Sequence, residues 1–221
     1  TGVQTCALPI FKNSQCPVVI GPNRIQAAKH LMENTDSNVI LSDDGLQHFS
    51  LGRDIEILMI DGNRKFGNEL LLPAGPLREP KSRIKTVDFT ISSNRKWPSV
   101  AKYEMKYRPF KWVHMKSQKE YDIFDWPLKK EVNAVAGIGN PSNFFNLLKQ
   151  LGFDISEYAF PDHHDFHSVD FEIMDNQPTV MTEKDAIKCS FLDHTNYWYL
   201  KIEAEVSDNF EQDFLAEIKS K

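Results

Sequence analysis

Two aliphatic runs in the first third of the chain end in acids. Val39-Ile40-Leu41-Ser42 leads into Asp43-Asp44-Gly45-Leu46-Gln47-His48, and Ile55-Glu56-Ile57-Leu58-Met59-Ile60 leads into Asp61. A near-continuous aliphatic run is the pattern of a strand covered on both faces, which is the condition of a parallel sheet, and open α/β sheets place their chemistry where such strands end. Pro17-Val18-Val19-Ile20 and Thr86-Val87-Asp88-Phe89-Thr90-Ile91 read as two further strands. Between Pro17–Ile20 and Val39–Ser42, Ile25, Ala28, Leu31 and Met32 fall on one face of a helix. This alternation predicts an α/β half built on a mainly parallel sheet, although the short link from His48 to Asp54 also allows a hairpin.

Between Lys96 and Lys130 the character changes. Tyr103-Glu104-Met105-Lys106-Tyr107 alternates, and Trp97, Trp112 and Trp126 stand among charges, which predicts extended, half-exposed segments joining two lobes. A second α/β unit follows. Val132 to Ala136 reads as a strand, Gly137-Ile138-Gly139 as a turn, and Pro141 opens a helix that carries Phe144, Phe145, Leu147, Leu148 and Leu151 and ends at Gly152. Thr179 to Thr182 and Tyr197 to Ile202 read as strands, and Phe210, Phe214, Leu215 and Ile218 are spaced as in a final helix. The organisation expected is a first lobe over residues 1–100, an extended hinge over 101–130, and a smaller second lobe over 131–221 that includes a returning strand and the last helix.

Composition narrows the function classes. With 41% hydrophobic residues in 221, a real core is available. A net charge of −5 offers no field for wrapping a polyanion, so nucleic acid is not expected as a partner. Cys6, Cys16 and Cys189 lack C-x-x-C spacing and read as packing thiols in a reducing setting. No window approaches the roughly 18 apolar residues of a helical membrane span. The opening decapeptide, Thr1 to Ile10, lacks an initiator methionine and continues into no element, and is expected to be a truncated or foreign start.

Asp43-Asp44 has the chemistry to hold Mg²⁺ beside nucleotide phosphates, since hard oxygen ligands suit a hard cation; two turn acids before Gly45 are the plain alternative. The neighbouring Gln47 and His48 favour the first. From Phe66 to Pro80, three prolines and two glycines exclude an ordinary helix and predict a shaped loop. Within it, Arg78 and Glu79 either engage an anionic group or pair with each other at the surface, and composition alone favours the surface pair. Gly137-Ile138-Gly139 before a proline-started helix reads as turn chemistry more readily than as an anion site. Pro161 to His167 holds three of the seven histidines, able to bind metal, move a proton or stand on a solvated loop.

Taken in order, Ser42-Asp43-Asp44-Gly45-Leu46-Gln47-His48, Asp61-Gly62-Asn63-Arg64-Lys65-Phe66-Gly67-Asn68, Leu72-Pro73-Ala74-Gly75-Pro76-Leu77-Arg78-Glu79, Ala136 to Pro141, Asp162-His163 and Met181-Thr182-Glu183-Lys184-Asp185-Ala186 resemble the tetraacyldisaccharide 4'-kinase family, the lipid A 4'-kinases. The resemblance implies a P-loop NTPase-like α/β fold with a second, smaller α/β lobe on an extended hinge. It implies transfer of the γ-phosphoryl of ATP, with Mg²⁺, to the 4'-hydroxyl of an acylated glucosamine disaccharide phosphate. It also implies work at the cytoplasmic face of the bacterial inner membrane, which the family reaches through an N-terminal helix not found in these residues. Asp43 and Asp44 would match the Walker B acids that position the metal. His163 would match a second-lobe histidine that approaches the transfer centre, and Arg24, Gln47, His48, Arg78 and Glu79 would lie near substrate or nucleotide.

No G-x-x-x-x-G-K-[ST] loop occurs among the 221 residues. Phosphoryl transfer depends on positioning and charge stabilisation, so this stretch by itself is expected to be inactive. Two other classes compete with the kinase. A metal-dependent phosphoesterase would use Asp43-Asp44 with Asp162-His163-His164, and a non-catalytic remnant would bind lipid or a partner through its aromatic hinge.

Overall fold

The computed structural model describes residues 7, 10, 11, 13–174, 176–192, 195–207 and 209–221. Cys6 and most of the opening decapeptide lie outside the described residues. The chain divides into two compact units, one of Thr1–Pro22, His30–Asp36 and Pro109–Ile202, the other of Asn23–Lys29, Ser37–Arg108 and Glu203–Lys221. Helix α1 (Arg24–Asn34), strand β3 (Tyr103–His114) and strand β8 (Tyr197–Val206) contribute residues to both.

In the unit containing Ser37–Arg108, strand β1 (Ile57–Asp61) pairs in parallel with β2 (Phe89–Ser93), which pairs in parallel with the start of β3. The end of β8 lies beside β3, where the amide of Ser207 donates to the carbonyl of Glu104 at 2.9 Å. The last helix, α5 (Asn209–Ser220), presents Phe210 and Phe214 four residues apart on one face. Both rings meet Phe89 edge-on, and they join Ile91 and Tyr103 in a small aromatic core. Asp213, on the same helix, accepts from the Tyr103 hydroxyl at 2.5 Å and from Lys102 at 2.8 Å.

In the unit containing Pro109–Ile202, the parallel strands run β8, β7 (Thr179–Thr182), β5 (Glu131–Ala136), β6 (Asp154–Ala159), and the short β4 (Glu120–Asp122) lies antiparallel on β3. Both faces of β5 are covered, as its unbroken burial from Val132 onward requires. Val132, Ala134 and Ala136 pack against Phe144, Phe145 and Leu148 of helix α2 (Pro141–Gln150), with Trp112 and Trp198. Val135 faces the opposite way, toward Phe166, Phe171 of the one-turn helix α3 (Val169–Glu172) and Met181. Proline in the first turn opens α2, and Gly152, at φ +82°, turns the chain out of it. Strands β5, β6 and β7 are parallel, so their carboxyl ends share one edge. Gly137–Gly139 and Asp162–His163 follow the ends of β5 and β6, and Thr182 closes β7 ahead of Glu183–Asp185.

Two expected strands do not form among the described residues. Pro17–Ile20 and Val39–Ser42 run without ladder partners, and Val39, Ile40 and Leu41 are 48%, 37% and 81% exposed. An aliphatic run becomes a strand only where a neighbour pairs its backbone. Conversely, β6 escapes sequence reading because Asp154-Ile155-Ser156-Glu157-Tyr158-Ala159 is a half-exposed edge strand of mixed polarity. The turn after β1 is tightly made. Asp61 accepts from the amides of Asn63 and Arg64, and a Cβ on Gly62 would stand 1.8 Å from the carbonyl oxygen of Arg95. Asp61 therefore serves as a turn cap.

Candidate functional site

In the Ser37–Arg108 unit, the loop after Leu41 folds on itself, with the His48 amide donating to the Gly45 carbonyl at 3.0 Å. Asp44 takes a left-handed backbone, φ +48°, which aspartate tolerates better than most residues. A Cβ on Gly45 would meet Ser42 Oγ at 2.8 Å and the Ser42 carbonyl oxygen at 3.1 Å, so a side chain there would press on the Ser42 turn. Arg24, at the start of α1, donates to the Asp43 carbonyl at 3.4 Å.

The Phe66–Pro80 segment is the shaped loop its prolines and glycines foretold. Leu72 and Leu77 donate amides across it, to Leu77 and Leu70, and Asn68 donates to the Ala74 carbonyl at 2.9 Å. Arg78 and Glu79 do not pair with each other. Arg78 Nη1 donates to both Asp44 oxygens at 3.0 Å and reaches Gln47 Oε1 at 3.4 Å, while Glu79 accepts from Gln47 Nε2 at 2.6 Å and from Arg83 Nε at 3.1 Å. The Arg78–Asp44 pair is well exposed, so it is worth about 0–1 kcal/mol and yields readily to a competing anion. Asp43 offers an exposed carboxylate that no side chain among the described residues engages. His48 is half-buried in the same loop.

The carboxyl edge of the Pro109–Ile202 unit is organised by Asp185, which is fully buried. Its Oδ2 accepts from the Gly137 amide at 2.9 Å and from the Thr182 hydroxyl at 2.7 Å, and its Oδ1 meets Lys188 at 3.2 Å. Thr182 in turn caps helix α4 (Glu183–Lys188) by accepting the Asp185 amide. A Cβ on Gly137 would stand 3.1 Å from the Phe166 ring and 3.3 Å from Asp185 Oδ1. One residue before Asp185, Lys184 donates to Asp162 Oδ1 at 3.3 Å. That oxygen also accepts the His163 amide at 3.0 Å, and Asp162 Oδ2 stands 3.8 Å from His163 Nε2. Burial works against the Asp162 charge, but Lys184 and His163 outweigh it and hold the carboxyl below the usual carboxylate range. His163 itself is exposed, with φ +62°.

Of the other two histidines of the cluster, His164 is packed into the unit, while His167 is exposed and is tied through its backbone. His164 stacks on Phe160 and lies 3.0 Å from Asp170 Oδ2, which also accepts the His167 amide at 2.9 Å. Among the described residues no three His, Cys, Asp or Glu side chains group as a metal site. Cys189 is buried beside Asp185, and burial pushes its thiol up to about 12, which makes it an inert packing group.

The family profile described as tetraacyldisaccharide-1-P 4'-kinase matches residues 7–219. The chain belongs to this family. Tetraacyldisaccharide 4'-kinases from Nitrosococcus oceani and from Legionella pneumophila strain Corby are each 44% identical to it, covering 92% and 94% of the chain. That of Shewanella woodyi is 43% identical over 95% of the chain. The matched regions amount to 60%, 62% and 61% of those relatives, so the chain spans about three fifths of their length. The crystal structure of Aquifex aeolicus LpxK in complex with ATP superposes with a TM-score of 0.68 at 26% identity, covering 87% of this chain and 61% of that one. The fold is thus the α/β, mostly parallel architecture of the 4'-kinase family, as the ordered motifs implied.

Sequence reasoning missed Arg53, Glu56 and Arg83 in the first unit and the roles of Lys184 and Asp185 in the second. Signals existed. Glu56 interrupts an otherwise aliphatic run, Glu79 and Arg83 stand four residues apart, and Thr182 precedes Asp185 by the three residues of an N-cap.

Proposed function

We propose that this chain serves the reaction named for its family, transfer of the γ-phosphoryl of ATP to the 4'-hydroxyl of tetraacyldisaccharide 1-phosphate in lipid A biosynthesis, at the cytoplasmic face of the inner membrane. The observation that carries the reading is the Asp43–Asp44 loop, in which one carboxylate is uncommitted and the other is held by an exposed arginine.

The donor set fits Mg²⁺, which uses one or two carboxylates and fills its remaining positions with water and phosphate oxygens. Asp43 and Asp44 would hold it, and when bound it neutralises charge on the phosphates during transfer. Arg78, freed from its weak pairing with Asp44, presents a guanidinium to a phosphate, the geometry in which arginine exceeds lysine. Gln47 and Glu79 fix Arg78 and the acid loop relative to each other, with His48 and Arg24 beside the same loop. In the second unit, His163 is the catalytic residue of this proposal. It stands exposed on the Pro161–Asp165 loop with a left-handed backbone, and Asp162 Oδ2 lies 3.8 Å from its Nε2.

Genetic complementation tests this. A Gram-negative strain depleted of its own 4'-kinase should regain growth when the gene is expressed from its native start codon, and Asp43→Asn should abolish that rescue. Failure of the native gene to rescue, with the protein present on an immunoblot, contradicts the proposal.

A further inference from the structure

The polar contacts around the acid loop close into a circuit, and Arg83 stands where its branches meet. Arg83 lies in the 3₁₀ turn Lys81–Lys85. Its Nη2 donates to both oxygens of Glu56 at 2.5 and 2.6 Å, its Nε to Glu79 at 3.1 Å, and its Nη1 to the Thr86 hydroxyl. One branch continues from Glu79 to Gln47 at 2.6 Å, and Gln47 meets Arg78, which grips Asp44. The other continues from Glu56 to Arg53 Nε at 2.9 Å, and Arg53 Nη1 donates to the carbonyls of Gly45 and Leu46 at 3.2 and 2.8 Å. Three guanidinium groups, Arg53, Arg78 and Arg83, thus alternate with three carboxylates, Glu56, Glu79 and Asp44. Asp43 alone among the loop acids is left outside.

Burial separates the working end from the supporting end. Arg78 and Asp44 are 60% and 68% exposed, whereas Arg83, Glu56 and Glu79 are 19%, 13% and 18% exposed. Partly buried, charge-assisted bonds hold geometry far better than exposed ones. Glu56 raises the pKa of the Arg83 guanidinium, so the fork is charged at any working pH. A lysine could not replace it, because one ammonium cannot reach Glu56, Glu79 and Thr86 in three fixed directions.

We propose that Arg83 is a positioning residue for phosphoryl transfer, fixing the loop that presents Asp43 and Asp44 through Glu79–Gln47 on one side and Glu56–Arg53 on the other. This rests on the kinase reading above. The test uses the protein expressed from its native start codon and the variant Arg83→Lys, which keeps the charge and loses the fork. Amide hydrogen exchange should quicken by about tenfold or more across Asp43–Leu51 while Glu131–Ala136 is unchanged, the signature of local opening. A misplaced loop should lower kcat by about tenfold to a hundredfold with KM for the lipid acceptor within about twofold. Unaltered exchange across Asp43–Leu51, or a native kcat, overturns the proposal. If native protein transfers no phosphate, the kinase reading falls, while the exchange comparison still decides whether Arg83 holds the loop. If Arg83→Lys quickens exchange everywhere, Glu79→Gln decides: it keeps an acceptor for Gln47 and weakens the bond to Arg83, and it should quicken exchange across Asp43–Leu51 alone. Unchanged exchange there overturns the proposal.

Discussion

Removing the Asp185 carboxylate should cost the Pro109–Ile202 unit more than removing any other single polar group in it. In Asp185→Ala the Gly137 amide loses its buried acceptor, which costs about 1–3 kcal/mol. Lys188, whose side chain is 7% exposed, is left as an uncompensated charge, and breaking a buried pair from one side costs about 3–5 kcal/mol. The two losses share one side chain and do not add in full, so about 3–5 kcal/mol is expected. Urea unfolding followed by tryptophan fluorescence measures it, because Trp112, Trp126 and Trp198 all lie in or against this unit's core. With a slope of about 1.5 kcal/mol/M, the midpoint should fall by about 2–3 M. The double variant Asp185→Ala with Lys188→Met removes both charges and should recover at least about half of the loss. A fall under about 0.5 M in the single variant, or no recovery in the double, refutes the account of Asp185 as the tie between the Thr182 cap and the Gly137 turn.

Gly45→Ala should displace the acid loop, since its Cβ would press on both the side chain and the carbonyl of Ser42; about 1–3 kcal/mol of strain and a phosphoryl-transfer loss beyond tenfold are expected by thermal melting and steady-state kinetics. The Asp162 carboxyl, held low by Lys184 and His163, stabilises the fold above the ordinary carboxylate pKa, and this contribution disappears as pH falls through its depressed folded value. Lys184→Ala should therefore raise the Asp162 pKa toward the ordinary range, read by carbon NMR, and an unchanged value would count against the pairing. Cys189, with its thiol at about 12, should resist iodoacetamide at pH 8 in the folded protein and react on unfolding, whereas the exposed Cys16 should react in both states. Peptide mass mapping distinguishes them.

The parallel α/β character was legible because β1 carries the aliphatic run Ile57–Ile60, and the buried strands β5 and β7 carry Val132–Ala136, broken only by Asn133, and Val180–Met181. Val39–Leu41 carries the same signal and forms no strand, because hydrophobicity reports a preference for burial and says nothing of whether a partner stands alongside. The candidate site was legible as residue types in Asp43-Asp44, Gln47-His48 and Asp162-His163. Its wiring was not. Arg78 and Glu79 are adjacent in sequence, which suggested a mutual pair, but the chain bends there and each found a partner more than thirty residues away or on the following turn. Asp185 was visible only as part of a motif. Its buried reach across 48 positions to the Gly137 amide depends on β5 and β7 being neighbours, which no local pattern encodes.

The most direct measurement is phosphoryl transfer itself. The gene product, expressed from its native start codon, is incubated with Mg²⁺, ATP labelled at the γ-phosphate and tetraacyldisaccharide 1-phosphate, and the labelled lipid is isolated and its phosphate located. The account predicts label on the 4'-hydroxyl, dependent on Mg²⁺ and reduced by orders of magnitude in Asp43→Asn. Label-free lipid with intact, folded protein, or transfer that survives Asp43→Asn undiminished, would contradict it.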